Sequence, residues 1–332
     1  MKYKNVGVIG AGIAGLVCAD RLRREGISVT ILEKSRGVGG RSATRQLDES
    51  SCDHGAQYFT VSDPVFAERV AEWQDKGVVD IWQGCIVVID SGVIRDLNET
   101  KERLVGTPGM KSIGKFLAQT LDVRNNTQIK RIERSNKKWR VFDDAGHAYG
   151  PFDVLISTAP PIQTGQLFAE SSPRFAEQIA SVEMLPCWSV ILRFGSRLPI
   201  DFDGAFVNGS PLSWIARNNS KPGRGPAECW LLHGSADWSA EYVDLDPEEA
   251  GKELVKEFWK LFGREILHPS SVTTHRWRYS RPREVLPSRY LFDDQLQIGC
   301  AGDWCGGPKI EGAFLSGYAL ATSLLEKGQR EP

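Results

Sequence analysis

The first 32 residues alternate between short apolar runs and one amphipathic segment. Residues 4–9 form an apolar run of strand length, and residues 27–32 form another. Between them, residues 13–25 carry apolar side chains on one helical face, and Gly26 follows, as glycine commonly does after a helix end. The pattern predicts a β-α-β unit whose two strands run parallel.

The remaining pattern divides the chain into three parts. The first continues with a predicted helix at 113–121 and predicted strands at 128–133, 139–142 and 154–157. The middle part has β-like runs between connectors rich in proline and glycine, which favours an antiparallel sheet, and one amphipathic helix at 247–262. Its strands are predicted at 188–194, 205–207, 212–216, 229–233 and 273–279. A strand at 296–299 and a helix at 312–326 form the last part.

A glycine-rich sequence joins the first predicted strand to the first predicted helix. It reads Gly10-Ala11-Gly12-Ile13-Ala14-Gly15, the GxGxxG pattern of dinucleotide-binding turns. In this pattern Gly10 permits the tight turn, Gly12 lets the backbone approach a pyrophosphate, and Gly15 lets the helix pack closely on the strand. Glu33 ends the second strand, where a carboxylate accepts hydrogen bonds from ribose hydroxyls. The alternative is a glycine turn with an unrelated surface glutamate.

A second glycine pair follows in Arg36-Gly37-Val38-Gly39-Gly40-Arg41. The backbone of two adjacent glycines can lie against a phosphate or a ribose, and Arg41 can form a charge-assisted hydrogen bond to a pyrophosphate. A plain dinucleotide-binding dehydrogenase does not require this loop. The alternative for Arg41 is a solvated surface arginine.

A third cradle is predicted near the C-terminus. Cys300-Ala301-Gly302-Asp303-Trp304 precedes Ile310-Glu311-Gly312-Ala313 and Ser316-Gly317. A strand, a Gly-Asp pair and a helix that begins with small residues can hold a phosphate and a polyol. Asp303 is placed to bind a polyol hydroxyl, and Gly312 and Ala313 let the helix start press against a flat ring.

The segment Asp53-His54-Gly55-Ala56-Gln57-Tyr58-Phe59-Thr60 is compact, polar and aromatic. Its glycine, close to Gln57 and Tyr58, suits a ligand that approaches the backbone. His54 taken alone is more often a hydrogen-bonded structural histidine than a catalyst.

Composition narrows the class of protein. The 332 residues carry a formal net charge of −1, so no overall field directs the chain to nucleic acid or to an anionic membrane. Seven cysteines without a CxxC pair and five histidines without HExxH argue against a disulfide framework and a metal site. No run approaches the roughly 20 apolar residues that cross a bilayer, and cleaving the N-terminal apolar stretch as a signal peptide would destroy the glycine motif. We therefore expect a soluble cytoplasmic protein, either a monomer or a dimer.

Together, the three glycine-containing segments resemble the FAD-binding fold of the amine oxidase and glutathione reductase type. Residues 53–58, His275-Arg276-Trp277-Arg278-Tyr279, Ala301-Gly302-Asp303-Trp304-Cys305 and the short length resemble bacterial renalase-like proteins in particular. The resemblance implies that FAD contacts Ala14, Arg41, Gln57 and Tyr58, with Asp303 on the ribityl chain. The full set of expected cofactor contacts is Gly10, Gly12, Ile13, Ala14, Gly15, Glu33, Lys34, Gly40, Arg41, Gln57, Tyr58, Ile129, Asp303, Glu311, Gly312 and Ala313.

The resemblance also implies an activity. In renalase-like proteins, FAD oxidises the 2- or 6-dihydro isomers of NAD(P)H to NAD(P)⁺, and dioxygen then takes the electrons and forms H2O2. Monoamine oxidases attach flavin through a cysteine that precedes the Gly-Asp motif, and nothing upstream of Ala301 matches that context. Cys305 lies after the motif, so the FAD is expected to be non-covalent.

The expected fold class is α/β, with a Rossmann-type FAD-binding domain and an interleaved α+β substrate domain built on an antiparallel sheet. The FAD-binding domain is predicted from residues 1–62, 108–164 and 288–330. The substrate domain is predicted from residues 63–107 and 165–287. The nucleotide domain is thus assembled from both ends of the chain and a central piece.

Strand alternation predicts which side chains of the middle sheet share a face. In 273–279, His275, Trp277 and Tyr279 share one face, and the two arginines between them share the other. In 229–233, the face of His233 is shared with the two other odd-numbered residues, Cys229 and Leu231.

The catalytic candidates are His233, Trp277 and Tyr58. A pocket over the flavin lined by these side chains would suit a flat, partly charged ring, with hydride moving to flavin N5. Oxidising a dihydronicotinamide needs no general base, because hydride departure alone restores aromaticity. The alternative is that these aromatic side chains belong to the core.

Two other functions stay open. One is a flavin amine oxidase or a carotenoid- or porphyrin-type desaturase, although the chain lacks the long apolar stretch with which a desaturase docks on a membrane. The other is a non-catalytic FAD-binding protein. The predicted partners are accordingly a small-molecule substrate, either a dihydronicotinamide dinucleotide or an amine, and O2.

Overall fold

The computed structural model describes residues 3–47, 50–97, 101–263, 265 and 267–329. Its α-helices are α1 (Ile13–Arg24), α2 (Pro64–Asp75), α3 (Lys111–Ala118), α4 (Pro161–Phe168), α5 (Pro173–Ala180), α6 (Ala236–Glu241), α7 (Pro247–Lys260) and α8 (Lys309–Gln329). Within these ranges, no helix combines the length and the apolar character that a membrane crossing requires.

The strands of the N-terminal half are β1 (Asn5–Ile9), β2 (Ser28–Leu32), β3 (Thr44–Leu47), β4 (Ser50–Asp53), β5 (Val79–Ile81), β6 (Ile86–Asp90), β7 (Val93–Asp96), β8 (Leu104–Gly106), β9 (Asp122–Arg124), β10 (Ile129–Ser135), β11 (Lys138–Asp143), β12 (Ala148–Phe152) and β13 (Val154–Ser157). Those of the C-terminal half are β14 (Met184–Arg193), β15 (Gly204–Asn208), β16 (Leu212–Arg217), β17 (Cys229–Gly234), β18 (Ser271–Pro282), β19 (Tyr290–Asp293) and β20 (Ile298–Ala301).

A six-stranded sheet in the order β19-β20-β13-β1-β2-β9 contains the N-terminal β-α-β unit. Its neighbouring strands run parallel except β19 and β20. Alternate side chains enter different cores, since Val8 and Ile156 pack with α1 and α8, whereas Leu155 packs with Trp139 of β11 and Phe168 of α4. Because both faces are covered, the strands appear in the sequence as continuous apolar runs.

Helices α1, α2 and α8 form one packed layer. The backbones of α1 and α8 approach so closely that a Cβ atom added at Gly317 would lie 2.1 Å from the carbonyl oxygen of Ala14. Helix α2 adds Phe66 and Trp73, whose ring centroids lie 5.1 and 6.1 Å from that of Phe314 in α8. Helix α2 therefore packs in the nucleotide-domain core, although the sequence assigns it to the substrate domain.

A seven-stranded sheet has the order β18-β14-β17-β16-β15-β6-β7. It is antiparallel, as the sequence predicts, apart from β15 and β6, which pair in parallel. These two strands lie far apart in the chain, so no hairpin fixes their relative direction. Helix α7 covers one face, where Leu254 and Phe258 pack with Trp188 and Trp230.

Each of these two sheets draws its strands from the segments that the sequence assigns to one domain. The six-stranded sheet uses residues 1–62, 108–164 and 288–330, and the seven-stranded sheet uses the rest. The domain boundaries themselves stay a prediction. Within the predicted domains, residues 1, 2, 48, 49, 98–100, 264, 266 and 330 lie outside the described residues.

The predicted strand at 296–299 is displaced by two residues. The structure forms it at Ile298–Ala301, because the Asp293 carboxylate accepts hydrogen bonds from the backbone N–H groups of Gln295 and Leu296, each at 2.9 Å. Gln297 continues this turn with a φ of 58°. A side-chain-stabilised turn thus occupies the start of the predicted strand.

Gly317→Ala is expected to lower the free energy of unfolding by about 1–3 kcal/mol, because the new methyl group collides with backbone that no rotamer change can move. Urea denaturation of the FAD-loaded protein measures this. Gly195→Ala is the matched control, because its Cβ would meet nothing within 4 Å. Equal stabilities of the two variants would contradict the close approach of α1 and α8.

Candidate functional site

A cavity of about 2170 Å³ lies between the two sheets and receives lining residues from both. On one side it meets the carboxyl ends of β1, β2 and β13, the usual position of ligands in open α/β sheets. On the other side it is bounded by β16, β17 and β18.

The β1–α1 turn has the geometry of a phosphate cradle. Gly10 has a φ of +104°, and a Cβ at Gly15 would lie 2.2 Å from the carbonyl oxygen of Gly10. A Cβ at Gly12 would meet nothing within 4 Å, so the space before it is free for a ligand. Helix α1 begins here without a side-chain cap, and Ile13 and Ala14 line the cavity. Its first N–H groups are therefore available to an anion.

Glu33 lies at the end of β2 and is buried. Its two carboxylate oxygens accept hydrogen bonds from the backbone N–H groups of Ala11 and Ser35, each at 2.7 Å. Each oxygen keeps a second lone pair for a ribose hydroxyl. Lys34 and Ile129 line the same cavity. The adenosine side expected from the sequence is thus assembled in one place.

Arg41 and Asp303 bind each other. Nη1 and Nη2 of Arg41 donate to the two carboxylate oxygens of Asp303 at 2.8 and 2.6 Å, and Nη1 also donates to the Ser280 carbonyl at 2.9 Å. The sequence assigns these side chains to a pyrophosphate and a polyol hydroxyl. Arg41, Asp303 and Gly40 all line the cavity. The ion pair therefore lies where the pyrophosphate and the polyol of such a ligand would meet.

Glu311 has a different role from the one that the sequence predicts. It does not line the cavity, and its Oε1 accepts hydrogen bonds from the backbone N–H groups of Ser62 and Asp63 at 2.7 and 2.8 Å. Gly312 does not line it either, because a Cβ there would lie 1.7 Å from the carbonyl oxygen of Gly307. Gly15 likewise packs on backbone outside the cavity, whereas Ala313 does line it.

The His54 carbonyl oxygen organises the far end of the cavity. It accepts hydrogen bonds from Ser189 Oγ at 2.9 Å and Trp277 Nε1 at 2.8 Å, and it lies 3.3 Å from His233 Nε2. The His54 ring stacks on Trp277 at 5.2 Å and meets His275 edge-on at 5.0 Å. Two of the catalytic candidates, His233 and Trp277, are thus held by one backbone atom.

The predicted faces of β18 are confirmed for four of its residues. His275 and Trp277 contact His54, whereas Arg276 donates a hydrogen bond to the Val243 carbonyl and Arg278 donates one to the Asp244 carboxylate.

The histidines at this end are uncharged at neutral pH. Burial, together with the smaller effects of neighbouring His275, Arg45 and His233, lowers the pKa of His54 from 6.5 to about 4. Burial also lowers the pKa of His233 to about 4. A neutral imidazole can donate one hydrogen bond and accept another.

Tyr58, the third catalytic candidate, lies on an aromatic wall. Its ring centroid is 5.6 Å from that of Trp214, which is 4.8 Å from that of Phe206, and all three residues line the cavity. Phe206 and Trp214 are not among the site residues predicted from the sequence. Alternation along β15 and β16 could have found them, because Ala205 and Ile215 point into the opposite core.

A buried polar network supports the segment from His54 to Tyr58. Asp53, Lys221 and Arg224 have side chains that are at most 1% exposed. Arg224 Nη2 makes a short contact with Asp53 Oδ2, whereas Lys221 Nζ lies 3.5 Å from that atom and donates to Gln57 Oε1 at 3.0 Å. Burial alone raises the pKa of Asp53, but Lys221 and Arg224 hold it below its usual range. Burial lowers the pKa of Lys221, and Asp53 opposes that shift.

The cavity is strongly basic. Its described lining contains two carboxylates, Glu33 and Asp303, and eleven cations: Lys34, Arg36, Arg41, Arg45, Lys111, Lys115, Lys130, Arg276, Arg278, Arg281 and Lys309. In the described part of the chain, only Arg41, Arg276 and Arg278 among these cations have a carboxylate within ion-pair distance. Because the net charge of the protein is −1, this positive charge is a property of the cavity and not of the whole surface.

Comparison with known proteins identifies the family. A profile described as flavin containing amine oxidoreductase matches residues 91–325, and a profile for NAD(P)-binding Rossmann-like domains matches residues 8–73. Hydroxyneurosporene desaturase of Rubrivivax gelatinosus is 30% identical over 128 residues, which are 35% of this chain and 24% of that protein. Protoporphyrinogen oxidase 2 of Arabidopsis thaliana is 36% identical over 61 residues, 18% of this chain and 12% of that protein. The chain thus matches only a quarter or less of these relatives.

Two solved structures share the fold over nearly the whole chain. One, from Exiguobacterium sp. 255-15, carries a provisional protoporphyrinogen oxidase assignment and superimposes with a TM-score of 0.80 at 14% identity, covering 98% of this chain and 99% of that one. A putrescine oxidase triple mutant gives 0.71 at 14% identity with the same coverage. With the profile match over residues 91–325, these findings show that the chain belongs to the flavin-containing amine oxidoreductases, with FAD as its cofactor.

Proposed function

We propose that this protein is a renalase-like oxidase that converts the 2- and 6-dihydro isomers of NAD(P)H to NAD(P)⁺ on non-covalently held FAD. The proposal rests on the renalase-like motifs and, above all, on the basic cavity. In the reaction a hydride leaves C2 or C6 of the dihydropyridine ring, which becomes the aromatic nicotinamide. Bound FAD would accept that hydride and pass its two electrons to dioxygen, which with one further proton gives hydrogen peroxide.

Charge favours a dinucleotide over an amine. The FAD pyrophosphate carries two negative charges, and eight lining cations have no carboxylate partner among the described residues. The surplus would attract a second pyrophosphate, whereas an amine is itself a cation at neutral pH and would be repelled.

The lining side chains suit hydride transfer without a base. Tyr58, Trp214 and Trp277 offer aromatic surface to a flat ring, and neutral His233 can orient its polar substituent. The two described carboxylates of the lining are already bound, Glu33 by backbone N–H groups and Asp303 by Arg41. We propose that the cofactor-side residues hold FAD as follows: Gly12, Ile13 and Ala14 at the phosphates, Glu33 at the ribose, and Gln57 and Ala313 beside the flavin ring.

Non-covalent binding is supported by the lining itself, since it contains no cysteine among its described residues. Cys300 and Cys305 are buried in a separate core.

A flavin amine oxidase or a desaturase-type oxidoreductase is the second candidate, and the family match favours it in general terms. The basic lining is the observation that ranks it below the dinucleotide oxidase.

Anaerobic mixing with a donor panel tests the proposal. The 2- and 6-dihydro isomers of NAD(P)H should bleach the visible flavin absorbance rapidly, whereas primary amines and polyamines should leave it unchanged. Bleaching by an amine alone would favour the second candidate, and bleaching by dithionite alone would indicate a non-catalytic FAD-binding protein. Heat denaturation should release all of the flavin into the supernatant.

Arg45→Gln should raise the KM for the dinucleotide isomers roughly tenfold and leave kcat nearly unchanged, because a charge-assisted hydrogen bond contributes about 1.5–3 kcal/mol when buried and less at an exposed site. Arg45 has no described carboxylate partner, and its charge acts on His54 and His275 at the substrate end.

Phosphate-free N-alkyl dihydropyridine isomers are the internal control for that variant, since they keep the reacting ring and should show no effect of the substitution. Lys252→Gln, on the exposed side of α7, is the matched charge control. Equal losses with both donor types would exclude a role for Arg45 in binding the substrate phosphate.

The pH profile gives a further test. With pKa values of about 4, His54 and His233 stay neutral between about pH 6 and pH 8, so kcat/KM for the isomers should be flat there. Both pKa values lie below the ordinary 6.5 of an unfolded histidine. Between pH 4 and pH 6.5, the unfolded chain therefore binds more protons than the folded chain. Stability should therefore fall as the pH drops from 6.5 towards 4, whereas kcat/KM should fall only as the pH approaches 4, where His54 and His233 of the folded protein take up protons. A rate that instead rises steadily above pH 7 would indicate amine deprotonation.

A further inference from the structure

The buried network that supports residues 54–58 carries a net charge of +1. Asp53 supplies one negative charge, and Lys221 and Arg224 supply two positive ones, all with side chains at most 1% exposed. Arg224 is the closer partner of the carboxylate, and its Nη1 also donates to the Gly106 and Pro222 carbonyls, each at 2.6 Å. The ammonium of Lys221 is therefore the surplus charge.

That charge is directed at a residue of the cavity. Lys221 Nζ donates to Gln57 Oε1 at 3.0 Å, and Nζ lies 5.3 Å from the ring centroid of Trp82. Gln57 Nε2 donates to the carbonyls of Asp53 and Gly55 at 2.7 and 3.1 Å, which fixes the amide with its oxygen towards the lysine. Gln57 lines the cavity, whereas Lys221 does not.

The position of Gln57 relates it to the flavin ring. Glu33 marks the adenosine side of the cavity, and Gly12 and Arg41 mark the phosphates. The next segment along the cavity is the one that contains Gln57, since the backbone N–H of Ala56 donates to the Arg41 carbonyl at 2.9 Å. A flavin that extends beyond its pyrophosphate reaches this segment with its ring.

We propose that Lys221, which Gln57 holds beside the cavity, stabilises the negative charge of the reduced flavin through its own buried charge. A hydride delivered to neutral oxidised flavin leaves one negative charge on the ring. A buried cation close by favours that product because the surroundings screen it weakly. The inference rests on the proposed placement of the flavin ring beside Gln57, and it does not depend on which molecule donates the hydride.

Lys221→Met should shift the oxidation–reduction equilibrium of bound FAD at least tenfold towards the oxidised form, which is about 30 mV for a two-electron couple. Dye equilibration during chemical reduction of the holoprotein measures this without any substrate. Lys221→Arg keeps a permanent charge and should restore the potential. Lys252→Met, on the exposed side of α7, should leave it unchanged.

The outcomes separate this inference from the proposed function. A Lys221→Met protein that binds FAD and keeps the wild-type potential would overturn the inference, as would a folded Lys221→Arg protein with the lowered potential. Should Lys221→Met not fold, Lys221→Gln carries the test, since it removes the charge but keeps an N–H donor for Gln57 Oε1, and it should lower the potential similarly. An unchanged potential in Lys221→Gln would also overturn it. Failure of the dihydronicotinamide isomers to reduce the flavin would reject the proposed substrate and leave these potentials as they are.

Discussion

The buried carboxylate of Asp53 holds together parts of the chain that are distant in sequence. Its Oδ1 accepts hydrogen bonds from Thr44 Oγ1 at 2.7 Å and from the backbone N–H of Met110 at 2.9 Å. Its Oδ2 accepts a hydrogen bond from Nη2 of Arg224. Its own backbone N–H donates to Asn218 Oδ1 at 3.1 Å. A carboxylate without water needs such partners, because an uncompensated buried charge costs several kcal/mol. The loop that ends at Arg224 must therefore fold onto the strand that ends at Asp53.

The end of this strand also fixes the positions of residues 54–58. The Asp53 carbonyl accepts a hydrogen bond from the side chain of Gln57. The His54 carbonyl accepts hydrogen bonds from the side chains of Ser189 and Trp277, which belong to the seven-stranded sheet. One short segment thus connects the phosphate side of the cavity to its substrate side. The cofactor-side glycines and the aromatic wall belong to different sheets, and these hydrogen bonds set the distance between them.

The sequence predicts the geometry of the turn between β1 and α1 well because its requirements are local. Gly10, Gly12 and Glu33 act within one β-α-β unit, where spacing along the chain determines position in space. Arg41 and Asp303 were also found from local motifs, but their mutual ion pair joins residues from opposite ends of the chain, and no local pattern shows it.

The missed features all depend on long-range packing. Lys221 and Arg224 look in the sequence like surface residues of a Pro-Gly loop, and only the fold brings them to Asp53. Glu311 lies in a predicted cofactor motif, yet its carboxylate accepts hydrogen bonds from the backbone N–H groups of Ser62 and Asp63. Helix α2 lies in the segment that the sequence predicts to be part of the substrate domain, and nothing local shows that its aromatic face meets Phe314.

The side chains of the cavity determine which reaction this protein can catalyse, because the fold alone does not. The same architecture occurs in a putrescine oxidase, and matching segments occur in a desaturase, so proteins with different activities share it. This cavity offers a ligand cations that have no carboxylate partner among the described residues, neutral histidines and aromatic rings at one end, and carboxylates that are already bound. A cationic amine is repelled by such a lining, and both carboxylates among its described residues are already hydrogen-bonded to the protein. An anionic donor that releases a hydride without a base is attracted by the cations and needs nothing more than orientation.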